Sequence, residues 1–460
     1  MGNKKNAWLK FDNTKKEEIF SFCEGYKKYI SDCKTERESI KEAIYLAESK
    51  GYRDLKNVIS AGKSLKAGDK VYYNNMDKSL ALFLIGSESI ESGMRIIGSH
   101  VDSPRLDLKP NPLYEDSELS LMETHYYGGV KKYQWVTIPL ALHGVVVKKD
   151  GTKIDVVVGE EETDPVVMVS DLLVHLASEQ QQKKATEVIA GEDLNILVGS
   201  MPLEGEEKEA VKANILKLLK EKYDFEEEDF MSAEIEIVPA GKARDLGLDR
   251  SMVAGYGHDD RICAYTSLLA LLETESTKKT SVVLLVDKEE VGSIGATGMQ
   301  SRFFENAVAE LMDRVGEYSE LKLRRALANS KMLSSDVTAA FDPNYAGAYE
   351  KKNSAFFGKG LAFAKYTGAR GKSGCNDANA EFVAWLRNVM DENDVAYQMA
   401  ELGKVDQGGG GTIAYILAEY GMEVIDCGVA LQNMHAPWEV TSKADVYEAY
   451  KGYKSFLRNI

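Results

Sequence analysis

The first fifty residues separate apolar from polar positions at helical spacing. In KKEEIFSFCEGYKKYISDC and ERESIKEAIYLAES the apolar side chains recur every three to four residues, which predicts two surface helices over 14–50. Short strand-like runs follow at Lys70–Asn74, Ala81–Ile85 and Met94–Ile97, and the last runs straight into Gly98-Ser99-His100-Val101-Asp102. From about 106 to 250 the character changes. Segments 119–126, 135–147 and 153–158 are rich in β-branched and aromatic residues with Gly turns between them. Asp171–Gln182 (DLLVHLASEQQQ) has helical spacing, and Glu204–Phe230 carries a charged helix that ends in the acidic run Glu226-Glu227-Glu228-Asp229, read as a solvated face. Ala233–Val238 (AEIEIV) alternates, which predicts a strand with one wet face.

From 251 onward the pattern is α/β. Ser281–Val286 (SVVLLV) is a continuous apolar run of the buried-strand type. Met332–Leu333 leads into Ser334-Ser335-Asp336, Asn376–Glu392 and Gly411–Glu419 read as helices, and Met422–Val429 reads as a strand. The simplest organisation is one α/β domain built from residues 1–105 and 250–460, with a β-rich insertion over 106–249. A chain of 460 residues is long for one domain, which agrees.

Composition narrows the function. The net charge of −16 leaves no long basic face, so no nucleic-acid partner is expected. No stretch approaches the ~20 apolar residues of a membrane span, so no membrane partner is expected either. The opening MGNKKNAWLKFDNTKKEEIF has no apolar signal core, and behind Gly2, Asn6 stands where a myristoylation signal wants Ser or Thr. Cys23, Cys33, Cys263, Cys375 and Cys427 fit neither a disulfide framework nor a zinc ribbon, and read as buried reduced thiols. A cytoplasmic location follows as the expectation, and any metal would be held by His and carboxylates.

Five segments place such residues after predicted strands, where open α/β sheets form their sites. In Gly98-Ser99-His100-Val101-Asp102, a carboxylate two residues on lies on the same side of an extended chain and can hold the second ring nitrogen of a ligand His. Alone, a His-x-Asp is more simply a structural pair. In Gly257-His258-Asp259-Asp260-Arg261, adjacent carboxylates repel unless a cation offsets them, though acidic caps of a helix explain them equally well. In Asp287-Lys288-Glu289-Glu290-Val291-Gly292, one glutamate can bind metal and its neighbour can take a proton from water. Ser334-Ser335-Asp336 and Asn433-Met434-His435-Ala436-Pro437-Trp438-Glu439 add a carboxylate and an imidazole, each of which alone would pass for a capping Asp and a packed His. Together the donors suit two Zn2+ or related ions, such as Mn2+ or Co2+, with room for water.

The order His-x-Asp, Asp-Asp, Glu-Glu, Asp, His resembles the co-catalytic metalloaminopeptidases of the phosphorylase/hydrolase-like fold. The strings GSHVDSPRLDLKP, DKEEVGS, SSDVTAAFDPNY and MHAPWE are similar to the M18 or aspartyl aminopeptidase family, especially its bacterial branch. The resemblance covers essentially the whole chain. It implies an α/β zinc exopeptidase domain with an inserted dimerisation or lid domain, two divalent metal ions, and cleavage of N-terminal residues, acidic ones among them, from peptides. It implies His100 and Asp336 on one metal, Glu290 and His435 on the other, Asp259 bridging and Asp260 behind. Asp102 would orient His100 and Glu289 would be the general base. Lys365 in AFAKYTG matches a lysine that would meet an acidic substrate side chain, although an ordinary surface lysine fits as well. The family assembles as a tetrahedral homododecamer built from dimers, and His175 in DLLVHL is the counterpart of a His that reaches a neighbour's site, with an ordinary helix His the alternative. The chain departs from the pattern where Ala339 and Asp342 replace two histidines, and where the end motif His-Ala-Pro-Trp-Glu is closer to the sister M42 aminopeptidases. These departures bear on the substrate side of the pocket. A dimetal carboxypeptidase or N-deacylase on the same fold, and a non-catalytic self-assembling particle, are the rival readings.

Overall fold

The computed structural model describes residues 5–458, so Gly2 lies outside the described residues. The chain divides into two compact units: one holds residues 1–102, 243–434 and 439–460, the other 103–242 and 435–438.

The larger unit opens with helices α1 (Asn13–Asp32) and α2 (Glu36–Ser49). A capping box closes the start of α2, with Thr35 and Glu38 each satisfying the other's backbone N–H. Nine strands form its main sheet: β1 (Arg53–Asp54), β2 (Lys70–Asn75), β3 (Ser79–Leu84), β4 (Arg95–His100), β5 (Ser281–Val286), β6 (Lys331–Ser335), β7 (Leu361–Ala364), β8 (Tyr397–Met399) and β9 (Glu423–Gly428). Their spatial order is β1-β2-β3-β5-β4-β6-β9-β7-β8. The four central strands β5, β4, β6 and β9 are parallel. Side chains on one face of these strands, such as Ile97, Val283, Leu333 and Ile425, pack with α1, α2 and the helices His258–Leu272, Ala380–Glu392 and Lys443–Arg458. Their alternates Ile96, Val282, Leu284 and Val424 pack with Phe303–Arg314 and Glu320–Ala328 on the other face. Cover on both faces is why SVVLLV is apolar throughout.

Register brings the strand ends level. Val286 stands opposite His100, and Ser334 opposite Gly98, so Asp336 comes level with His100. A side chain at Gly98 would collide with Met332 and Ile413, which keeps this neck of the sheet narrow.

The smaller unit is built on an antiparallel seven-stranded sheet, with Arg105–Asp116 and Leu119–Tyr127 its longest strands. Two expectations fail here. Asp171–Gln182 forms turns with one 3-10 segment, Gln180–Gln182, instead of a helix. An amphipathic segment gains most of its helical stability by burying its apolar face. Leu172, Leu173, Val174 and Leu176 are all exposed, so that stabilisation is missing within the described chain. Ala233–Pro239 is a strand, yet its second glutamate is not wet: Glu236 is buried and its Oε2 lies 3.1 Å from Arg105 Nε. A third correction lies in the larger unit. The helices predicted from 376 and 411 begin only at Ala380 and Ala414, beyond loops rich in Gly, Asn and Asp.

The return of the chain at residue 243 is pinned by one carboxylate. Asp245 Oδ1 lies 2.6 Å from Lys27 Nζ and 2.8 Å from Lys443 Nζ, and its Oδ2 lies 2.7 Å from Arg250 Nε. Lys443 is fully buried, with its ammonium 4.3 Å from the Phe20 ring centre. Burial opposes ionisation of Asp245, but hydrogen bonds from Lys27, Lys443 and Arg250 hold its carboxyl well below the usual carboxylate range. A depressed folded-state value means that this stability is present above about pH 3.9 and is lost as pH falls through the folded value. Asp245→Ala strands a buried ammonium and should lower unfolding free energy by about 3–5 kcal/mol, measured by urea denaturation at pH 7. A change below about 0.5 kcal/mol would show that the cluster is not structural.

Candidate metal centre

His100 closes β4 and is almost fully buried. Its Nδ1 lies 2.9 Å from the Asp102 backbone carbonyl and 3.4 Å from Asp102 Oδ1. A carbonyl only accepts, so Nδ1 carries a proton; burial opposes charge on the ring, but bonds to Asp102, Asp259 and Asp336 raise its pKa well above the usual value in the cation-free site. The other ring nitrogen, Nε2, faces carboxylates: Asp259 Oδ1 at 3.1 Å, Glu289 Oε2 at 3.8 Å and Asp336 Oδ1 at 3.8 Å.

The Asp102 carboxylate has a different task. Its Oδ1 and Oδ2 accept the backbone N–H groups of Glu289 and Glu290, each at 3.2 Å. It therefore grips the short 3-10 turn Glu289–Val291 that follows β5. Asp102 also meets the imidazole as the spacing predicts, through its carbonyl at 2.9 Å and its Oδ1 at 3.4 Å.

Asp259 and Asp260 open the helix His258–Leu272. Gly257 precedes them with φ +73°, and a Cβ there would fall within 1.6 Å of the Arg261 guanidinium, so only glycine fits. Arg261 donates to the Gly257 and Cys33 carbonyls, which ties the turn to α1. His258 is spent structurally: its Nδ1 is 2.5 Å from the Tyr26 hydroxyl, and burial pushes its pKa down to about 3. Asp259 is buried and its N–H donates to Glu439 Oε2 at 3.1 Å. Asp260 is fully buried; its Oδ2 accepts the His100 N–H at 3.3 Å, while its Oδ1 has no hydrogen-bond partner. Asp336 follows β6 and anchors its N–H on the Cys427 carbonyl at 3.0 Å.

Two sets of donor atoms each converge within 4.8 Å: His100, Asp260 and Asp336, and His100, Asp259 and Glu290. The residues fit a metal on chemical grounds. Four carboxylates and one imidazole converge, with His100, Asp259 and Asp260 buried and Glu290 and Asp336 partly so, and Asp260 Oδ1 has no hydrogen-bond partner. Burial lifts Asp260 well above the usual carboxylate value, with Asp336 adding to it. Glu289 is pushed up to about 8, first by burial, with Asp336, Asp102 and Asp259 adding and His100 opposing. Such a set is costly unless cations enter it. Asp260 belongs to one of these two donor sets.

His435 belongs to the smaller unit, where its Nδ1 lies 3.0 Å from the Gly129 carbonyl. His175, also of that unit, is exposed on a turn. Lys365 of the larger unit is half-exposed and ion-paired with Asp377, which also meets Lys372 at 2.9 Å. Reading the sequence missed Glu439, buried beside the Asp259 amide; its position four residues after His435 in HAPWE was the available signal.

A mostly parallel sheet covered on both faces, with carboxylates and an imidazole converging at its strand ends, defines a metal-dependent hydrolase of the peptidase class. The chain belongs to the M18 family, matching the description "Aminopeptidase I zinc metalloprotease (M18)" over residues 29–457. A Clostridium acetobutylicum protein named "Probable M18 family aminopeptidase 1" is 66% identical over 456 residues, covering 99% of this chain and 98% of that one. A crystal structure of aminopeptidase I from C. acetobutylicum superposes with a TM-score of 0.93 at 63% identity, covering 100% of each chain. An M18 aminopeptidase structure from Thermotoga maritima gives a TM-score of 0.95 at 45% identity, again over 100% of each chain.

Metal removal should destabilise the fold. Chelation with EDTA lowers the thermal midpoint, and Zn2+ at a hundred times its Kd restores about 2.7 kcal/mol, read by differential scanning fluorimetry. Identical melting with and without Zn2+, Mn2+ and Co2+ would remove the metal assignment.

Proposed function

We propose that the chain is a two-metal aminopeptidase that removes N-terminal residues from peptides. His100, Asp259, Asp260, Glu290, Asp336 and His435 are the candidate ligands, and Zn2+ is the expected ion. The observation that carries this reading is the pair of donor sets sharing His100, with Glu289 at 3.8 Å from its Nε2. Two divalent ions there lower the pKa of water and polarise the scissile carbonyl.

The chain's own groups handle the proton. Glu289 is held by Asp102 through its backbone N–H, which leaves its carboxylate free to act. Burial and the neighbouring carboxylates push Glu289 up to about 8 in the cation-free site, and cations held by the ligands would favour its ionised form. It accepts a proton at Oε2 from the attacking water and delivers it to the leaving nitrogen as the peptide bond breaks. The surrounding carboxylates favour a substrate that brings a free α-ammonium group, which accounts for exopeptidase selectivity.

An acidic preference rests on Lys365, whose ammonium Asp377 already engages, so an incoming Asp or Glu side chain has to compete for it. Self-association into dimers, and of dimers into a dodecamer, draws support from the exposed run Leu172–Leu176, which carries His175. A yeast M18 structure described as the mApe1 dodecamer shares the fold at 21% identity. Five free cysteines suit a reducing compartment such as the cytoplasm.

Glu289→Gln should keep metal content, measured by elemental analysis, while kcat on aminoacyl p-nitroanilides falls about 10²–10⁴-fold. Near-normal turnover would remove Glu289 as the base. In the same panel, N-acetylated substrates stay intact, and Lys365→Met slows Glu- and Asp-substrates more than Leu-substrates. Cleavage of blocked ends would favour the deacylase reading, and equal losses would remove Lys365 as the side-chain reader. Light scattering on the full chain should give a large assembly that Val174→Asp reduces; a monomer of 50.9 kDa in the unaltered chain would reject the assembly.

A further inference from the structure

Glu439 is 1% exposed, yet it is a carboxylate set near other buried carboxylates. It opens the strand Glu439–Ser442, whose register puts it opposite Gly255, four residues before Asp259. Its Oε2 accepts the Asp259 N–H at 3.1 Å. That amide lies in the first turn of a helix, where N–H groups have no helical acceptor. The turn is not held by helical geometry either, because Asp259 has φ −81° and ψ 107° and Asp260 has φ −115° and ψ 24°. Something outside the helix has to fix this backbone, and both of its side chains belong to the donor sets around His100.

A second buried carboxylate shows the same construction. Asp102 accepts the N–H groups of Glu289 and Glu290, the turn that carries the base and a ligand. At Glu439 an acceptor of the same type meets the other ligand-bearing turn. Burying one more anion near a cluster that is already acidic costs free energy, so its presence is best explained by what the bond fixes.

We propose that Glu439 is a positioning residue for the metal centre. By holding the Asp259 amide it aims Asp259 and Asp260 at the donor cluster before any ion arrives. The claim rests on the two-metal reading above. It concerns the acceptor oxygen more than the charge, so a glutamine in its place, which keeps a carbonyl oxygen, should serve nearly as well. Loss of a partner that orients a ligand typically weakens metal binding about 10–100-fold.

The test is metal affinity of the full chain. The chain is stripped with chelator, then titrated with Zn2+ against a chromophoric competitor, and loaded with Co2+ for its visible absorption. Glu439→Leu should weaken Zn2+ binding at least tenfold and alter the Co2+ bands, while circular dichroism of the metal-free variant matches the unaltered chain. Glu439→Gln should bind within about threefold of the unaltered chain and keep its Co2+ spectrum. Full affinity in Glu439→Leu overturns the proposal. A loss in Glu439→Gln of tenfold or more overturns it as well, since charge and not the acceptor would then matter, and this arm decides the question even where the leucine variant does not fold. If the unaltered chain binds no divalent ion, the metal reading falls and this role falls with it; two ions bound equally by all three proteins would sink the positioning role alone.

Discussion

The constraint on which the structure depends is the cost of crowding anions out of water. Asp259, Asp260, Glu290 and Asp336 offer oxygen atoms around one imidazole, and Asp260 is fully buried. Removing a carboxylate from water costs several kcal/mol, and one His cannot offset four of them. Left to themselves the side chains would swing apart or take up protons. The fold prevents the first and cations relieve the second. Confinement falls to the strands that precede Glu290 and Asp336 and end in His100, and to the helix that Asp259 and Asp260 open, all packed into apolar layers. The hydrophobic core therefore matters to chemistry as well as to stability, because it holds mutually repelling groups together.

Backbone close approach sets the scale of the site. At Gly98 a side chain would meet Met332, at Gly257 the Arg261 guanidinium, and at Gly428 the Asp336 carbonyl at 1.9 Å. Each glycine lets a ligand-bearing segment come nearer its neighbour than any Cβ permits. His100, Asp259 and Asp336 are each within two residues in sequence of one of these glycines or packed directly on one. The ligands are thus placed by main-chain geometry first, and side-chain rotamers supply only the last step.

Much of this was legible in the sequence where the signal is local. SVVLLV announces a strand buried on both faces, and the acidic turn after it announces chemistry, because solvent-facing loops need no such platform. The paired helices of 14–50 follow from spacing. Two of the misreadings turn on partners or cover that the local sequence does not show. Alternation in AEIEIV could not reveal that Glu236 meets Arg105, more than a hundred residues earlier. Helical spacing in DLLVHL could not reveal that its apolar face finds no cover in the described chain. Spacing placed Asp102 beside the His100 ring, where it lies, but its bonds to the Glu289 and Glu290 amides are visible only in three dimensions.

The same comparison separates two uses of one functional group. Asp102 and Glu439 spend their oxygens on backbone N–H donors. Asp260 spends one oxygen on the His100 N–H and leaves the other without a donor. A carboxylate whose lone pairs are met by neutral amides is an anchor, because breaking those bonds would orphan the amides as well. One with an unmet oxygen inside an acidic cavity still has a lone pair to offer. Residue type and spacing cannot draw that line, since all three are acidic residues in short polar motifs. Counting acceptors against donors is what separates an anchored carboxylate from one that still has an oxygen to offer.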